Sequence, residues 1–173
     1  MRDRLSLAIT ANCGHPYPVM TLSAGDGTTL VADGERTTAT LAGQHPAALR
    51  ALAAPQAAFF GAAGDYRGSV CESAGPGRMS IRLRLDDLAW FSAEAATAIP
   101  VLRAAIAQHL EGFRLCPGQG VLLSNTRWLH GRDGYRGRRA MLRILGDPLP
   151  GTGVVPGFPS PSPAPDTKAS RAA

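Results

Sequence analysis

Apolar residues along this chain recur mostly in runs too short for helices, separated by Gly, Pro, Asn and Asp. Met79 to Leu85 shows the pattern best: Ile81, Leu83 and Leu85 fall on one face and Arg82 and Arg84 on the other. That alternation predicts a half-buried strand with a solvent-facing basic row. Leu5, Leu7 and Ile9 alternate with Ser6 and Ala8, which favours a strand near the start. Further short strands are expected at 19–22, 28–32, 57–60 and 69–71. Ala24 to Gly27 and Asp33-Gly34 read as turns around the second of these. His15-Pro-Tyr-Pro18 must be extended, because a residue before proline is pushed out of the α region.

Two stretches carry helical signals. Residues 35–54 turn helical, weakly over Thr37 to Leu41 and better over Pro46 to Leu52, where good helix formers follow a proline in the first turn. Ser92 is placed to cap the one long helix, ending near Leu110, with Glu94 in its first turn. Ile99, Leu102, Ile106 and Leu110 form its stripe, and Pro100 either kinks it or starts its main segment. The sum is a mostly β domain with one packed helix.

The stretch from Val121 to Asp147 gathers the candidate chemistry. It reads as a strand, a polar corner with His130, an Arg-loaded Gly-rich turn and a second strand, taken as a hairpin. The two-residue period puts Arg139, Met141 and Arg143 on one face of the second strand. A His ending one strand and two Arg on its neighbour can converge on a ligand. A neutral imidazole suits a metal and a forked guanidinium suits a carboxylate. On residues alone the plainer reading stays open: a structural His, two solvated strand charges and, at Thr29, an ordinary strand residue.

Length and charge narrow the class. The 173 residues make one ordinary domain with 45% hydrophobic and 18% charged content. After Pro150 the composition turns to Gly, Pro, Ser and Ala, so a domain over 1–150 and a disordered tail over 151–173 are expected. The net charge of +5 is carried by dispersed Arg, with Lys168 the one lysine. No basic run is interleaved with aromatics, which argues against a nucleic-acid partner. Cys13, Cys71 and Cys116 are odd in number and far apart, so a reduced, cytoplasmic protein is expected. No secretory leader is read at the start, and no apolar run approaches the ~18 residues of a membrane span. Oligomeric state is not encoded in any pattern.

One signature stands out. Asn125-x-Arg127-x-x-His130-Gly-Arg132, then Arg139-x-x-x-Arg143 and Leu145-Gly-Asp147, resembles the C-terminal motif of the taurine dioxygenase/clavaminate synthase-like (TauD/TfdA) family. Gly27-Thr-Thr29-Leu30 resembles that family's earlier Gly-x-Thr-Leu element, and the resemblance spans about 5–150. It implies an abbreviated double-stranded β-helix (jelly roll). It implies Fe(II) with 2-oxoglutarate as cosubstrate, and hydroxylation or a related oxidation of a small metabolite in bacterial specialised metabolism. It casts His130 as an iron ligand, Arg139 as the clamp on the 2-oxoglutarate carboxylate with Thr29 as hydroxyl partner, and Arg143 as a further cosubstrate or substrate contact.

The sequence departs from the family where its His-x-Asp/Glu pair belongs. That place reads Leu7 to Asn12, and no register there puts a His two before an acid. His15, Cys13, Asp26 and Asp33 are conceivable stand-ins. The alternative implied is a family fold that has lost iron chemistry, serving as a cofactor-independent cyclase, isomerase or dehydratase, or as a binding module. Enzyme status is therefore left open, leaning to an oxidoreductase.

Overall fold

The computed structural model describes residues 19–24, 27–61, 66–115, 119–132, 140–145, 151, 153 and 155–161, with backbone alone for 19–24, 132 and 140–145. The expected strands at 1–14, the 133–138 turn, Arg139 and the segment after 161 lie outside them.

In chain order the elements are β1 (Val19–Ala24), β2 (Thr29–Asp33), α1 (Gly34–Gln44), α2 (Pro46–Ala53), β3 (Ala58–Phe60), β4 (Tyr66–Gly68), β5 (Cys71–Gly75) and β6 (Arg78–Ile81). There follow β7 (Ala89–Phe91), α3 (Ala93–Gln108), β8 (Leu110–Phe113), β9 (Gln119–Leu123), β10 (Trp128–Arg132), β11 (Ala140–Leu145) and β12 (Phe158–Pro159). They form four three-stranded sheets, ordered β11-β1-β9, β10-β2-β8, β12-β6-β5 and β4-β3-β7, with every pairing antiparallel. The mostly β character expected from the short apolar runs is observed.

Asp33-Gly34 is not a turn between strands. Asp33 ends β2 and caps α1, its Oδ1 accepting from Glu35 N at 2.9 Å. Thr37 and Thr38 turn their hydroxyls back onto the carbonyls of Asp33 (2.8 Å) and Gly34 (2.9 Å). Those side-chain bonds satisfy buried hydroxyls, so a β-branched sequence that scores poorly as helix is held as one by its cap and by fully buried Leu41. The long helix α3 starts where predicted: Ser92 Oγ accepts from Ala95 N at 3.2 Å. It runs through Pro100 to Gln108, burying Ala95, Ala98, Leu102, Ala105 and Ile106. Leu110 belongs to β8 instead.

The core joins these helices to the small sheets through Leu41, Leu52, Phe60, Val70, Leu83, Leu102, Ile106, Leu129 and Phe158. Phe60 stacks on Tyr66 with centroids 5.5 Å apart and meets Phe91 edge-on at 5.9 Å, geometries that suit the aromatic quadrupole.

Phe158 overturns part of the tail expectation. It is fully buried, and β12 pairs with β6 in the register Phe158 to Met79. Arg78 holds the approach, donating to Pro156 O at 2.9 Å and Gly157 O at 2.7 Å. A two-residue strand has no period to reveal, and one aromatic supplies its burial.

Candidate functional site

The sheet β10-β2-β8 builds the site. His130 pairs with Val31 and Arg132 with Thr29, while on the other side of β2 Val31 pairs with Glu111 and Thr29 with Phe113. Directly opposed residues share a sheet face, and the face alternates along each strand. Thr29, Val31, Asp33, Trp128, His130, Glu111 and Phe113 therefore lie on one face. Ala32 and Leu129 lie on the other, which is the core side. His130 and Thr29 are thus brought onto one face from two distant motifs, two rungs apart on one strand pair.

Thr29 is 6% exposed, and its Oγ1 has no hydrogen-bond partner among the described residues. A buried hydroxyl without a partner costs free energy unless a ligand satisfies it. Asn125, 7% exposed, leaves its Oδ1 in the same position.

The start of β10 is pinned. Arg127 donates from Nε to Asp33 Oδ1 at 3.1 Å and from Nη2 to Asp33 Oδ2 at 2.7 Å, and Nη2 also lies 2.9 Å from Glu35 Oε2. Its carbonyl accepts from Gly34 N at 2.9 Å. The bonds to Asp33 hold the guanidinium pKa above its ordinary value, against the opposing effect of burial. Asp33 is thereby committed to Arg127 and to the helix cap, which removes it as a stand-in metal ligand. His15, Cys13 and Asp26 lie outside the described residues, among which no three His, Cys, Asp or Glu side chains gather to hold a metal.

The hairpin expected between the two strands of the signature is not what forms. β10 pairs with β2, whereas β11 pairs with β1 in another sheet, with Arg143 opposite Thr21. Successive strands change sheets, as they do when two sheets are wound from one chain. The backbone register of Arg143 is set by β1, and Arg139 falls immediately before β11, outside the described residues.

Other candidates resolve differently. Arg82 and Arg84 are not a free solvent row, each side chain being only 17% exposed. Arg82 lies 4.1 Å above the Tyr66 ring and 3.6 Å from Glu72, and Arg84 pairs with Asp86. The Tyr66 hydroxyl donates to Ser69 O at 2.7 Å, and burial, aided by Glu72, pushes its pKa up to about 12. His45 occupies the N-cap position of α2 without a side-chain capping bond. His109 is half-buried at the end of α3 with Nε2 2.8 Å from Thr40 Oγ1. Trp90 is 50% exposed. The Arg127–Asp33 fork was not singled out from sequence, although Asp33 followed by Gly34-Glu35 is a capping pattern and Arg127 sits inside the signature.

Residues 19–145 match the family model described as "Taurine catabolism dioxygenase TauD, TfdA family". No curated protein sequence matches the chain. Among solved structures, an asparagine oxygenase in complex with Fe(II), 2S,3S-3-hydroxyasparagine and succinate superimposes with a TM-score of 0.64 at 20% identity, covering 82% of this chain and 49% of that one. The non-heme iron oxygenase OrfP in complex with Fe gives 0.58 at 16% identity, covering 85% and 52%. OrfP in complex with Fe and alpha-ketoglutaric acid gives 0.55 at 15% identity, covering 77% and 46%. The chain spans about half the length of these structures. The shared architecture is the abbreviated double-stranded β-helix, or jelly roll, expected from the signature.

Proposed function

The chain belongs to the TauD/TfdA family, and from that premise we propose that it is an Fe(II)- and 2-oxoglutarate-dependent oxygenase acting on a small metabolite. The observation that carries the reading is the shared face of His130 and Thr29, with the Thr29 hydroxyl buried and without a partner among the described residues. Those two groups fit a metal and a carboxylate-bearing cosubstrate side by side. Neutral imidazole is a preferred donor to iron(II). Iron(II) with 2-oxoglutarate supplies, when bound, dioxygen reduction coupled to oxidative decarboxylation of the keto acid to succinate. His130 offers a ring nitrogen to the metal, and Thr29 donates its hydroxyl to the cosubstrate carboxylate. Arg139 clamps the same carboxylate with a forked, permanently charged donor, and Arg143 contacts cosubstrate or an anionic part of the substrate.

The neighbours' bound molecules include 3-hydroxyasparagine and alpha-ketoglutaric acid, which points to a small polar substrate such as a free amino acid, hydroxylated in specialised metabolism. No described helix is long and apolar enough to cross a membrane, and the scattered cysteines suit a reducing cytoplasm. The deciding experiment adds Fe(II) and 2-oxoglutarate anaerobically and follows the weak visible charge-transfer band of the chelate. A band, followed by succinate formation in air, is the expected result. No band and no succinate would overturn the reading in favour of a fold that has lost iron chemistry.

A further inference from the structure

The faces of β10 and β2 are fixed by their apolar pattern, but their register is not. A one-residue slip would turn His130 toward the core and Leu129, now 1% exposed, out of it. A two-residue slip keeps every face, since it sets Leu129 against Leu30 in one direction, or Gly131 against Ala32 in the other, without moving a polar group inward. It would nevertheless carry His130 about 7 Å along the strand relative to Thr29. Something other than hydrophobic alternation must exclude it.

Arg127 is placed to do so. It precedes β10 by one residue and holds two consecutive positions at the end of β2. Its side chain forks onto both Asp33 oxygens at 3.1 and 2.7 Å, and its carbonyl takes Gly34 N at 2.9 Å. Asp33 is itself immobilised by capping α1 through Glu35 N. A bidentate guanidinium–carboxylate pair is geometrically exacting as well as charged, so it tolerates no slip. We propose that the Arg127–Asp33 fork is a positioning device for the oxygenase site: it locks the β10–β2 register that sets His130 beside Thr29. This rests on the oxygenase reading, with Arg127 acting through His130 rather than touching the reacting atoms.

The test compares the full chain with Arg127→Gln and Arg127→Lys, and with Ile106→Val in α3 as a core control outside the strand pair. Two readouts are taken: cross-strand nuclear Overhauser contacts between β10 and β2, and the midpoint of anaerobic titration with Fe(II) and 2-oxoglutarate. In Arg127→Gln the Leu129–Ala32 and His130–Val31 contacts should weaken or split, and the midpoint should rise at least ~10-fold, as for loss of an outer-shell partner. Arg127→Lys should fall between the two, and Ile106→Val should lower the melting temperature while leaving both readouts unchanged. Intact register in Arg127→Gln, a shifted midpoint without a change in register, or an equal shift in Ile106→Val would each overturn the proposal. If the unaltered chain gives no chelate band, the oxygenase reading fails, and the cross-strand contacts still decide whether Arg127 sets the register.

Discussion

Asp33 binds Arg127 through both carboxylate oxygens while one of the same oxygens, Oδ1, caps the helix that begins at the next residue. A single side chain thus serves a strand end, a helix start and the approach to β10. Asp33→Ala removes all three roles and should cost about 2 kcal/mol, after discounting for the partial exposure of Arg127. Asp33→Asn keeps the cap and should cost about half as much. Urea unfolding of the two variants checks the order; equal losses would mean that the charged fork contributes nothing.

Thr29→Val should separate folding from binding. The swap removes a buried hydroxyl that has no described partner, so stability should hold or rise by about 1 kcal/mol. The affinity for 2-oxoglutarate in the presence of Fe(II) should fall by about 10-fold, the scale of one lost hydrogen bond to a charged group. Thermal melts with and without cosubstrate measure both. A destabilised variant would show that the hydroxyl already has a structural role.

Gly34 is a place where no side chain fits. A Cβ there would overlap Arg127 O and Ile81 Cγ2, and it would lie 3.2 Å from Phe158 Cε1. Gly34→Ala should therefore lose about 1–3 kcal/mol despite alanine's better helix propensity. A denaturation midpoint at or above that of the unaltered chain would contradict this close approach.

Phe158→Ala opens a hole in the core and should cost about 3–5 kcal/mol. Pro161→Ala, beyond β12 in the same described segment, should leave the melting temperature within a degree or two. Comparable losses in the two variants would show that the segment contributes by something other than the buried ring.

Stability should fall on the alkaline side. Burial pushes the Cys71 thiol from 9.0 to about 12, and the Tyr66 hydroxyl rises from 10.0 to about 12, chiefly by burial. Both groups hold their protons more tightly when folded, so the folded state is favoured below the unfolded pKa values. It loses that advantage as pH rises from about 9 toward 12. Cys71→Ala should flatten the first part of this limb, and an unchanged stability profile between pH 9 and 11 would refute the assignment. At pH 8 the folded Cys71 should resist alkylation that the unfolded chain accepts.

The signature around His130 and the Gly-x-Thr-Leu element at Thr29 were legible because each is a local run of chemically distinctive residues. Their meeting was not, since it depends on β10 pairing with β2 from Thr29–Asp33 to Trp128–Arg132, far apart in sequence. The same non-locality explains why β10 and β11 read as a hairpin: proximity in sequence suggested pairing, while the winding of two sheets sends them apart. α1 read only as a weak helix because Thr37 and Thr38 lower helix propensity, and the Asp33 cap and the buried Leu41 outweigh it. Arg82 and Arg84 were read on one face of a strand over 79–85, but β6 ends at Ile81. Nothing in their own alternation announced that Tyr66, Glu72 and Asp86 would occupy them.

The seat of Phe158 also bears on synthesis. The helices, the small sheets and the strand pair bearing His130 all precede it in the chain, yet their common core includes its ring. While the polypeptide is growing, these elements can assemble around a gap that only a residue near position 160 fills. Nascent chains stalled shortly before Phe158 would present an open apolar socket to chaperones.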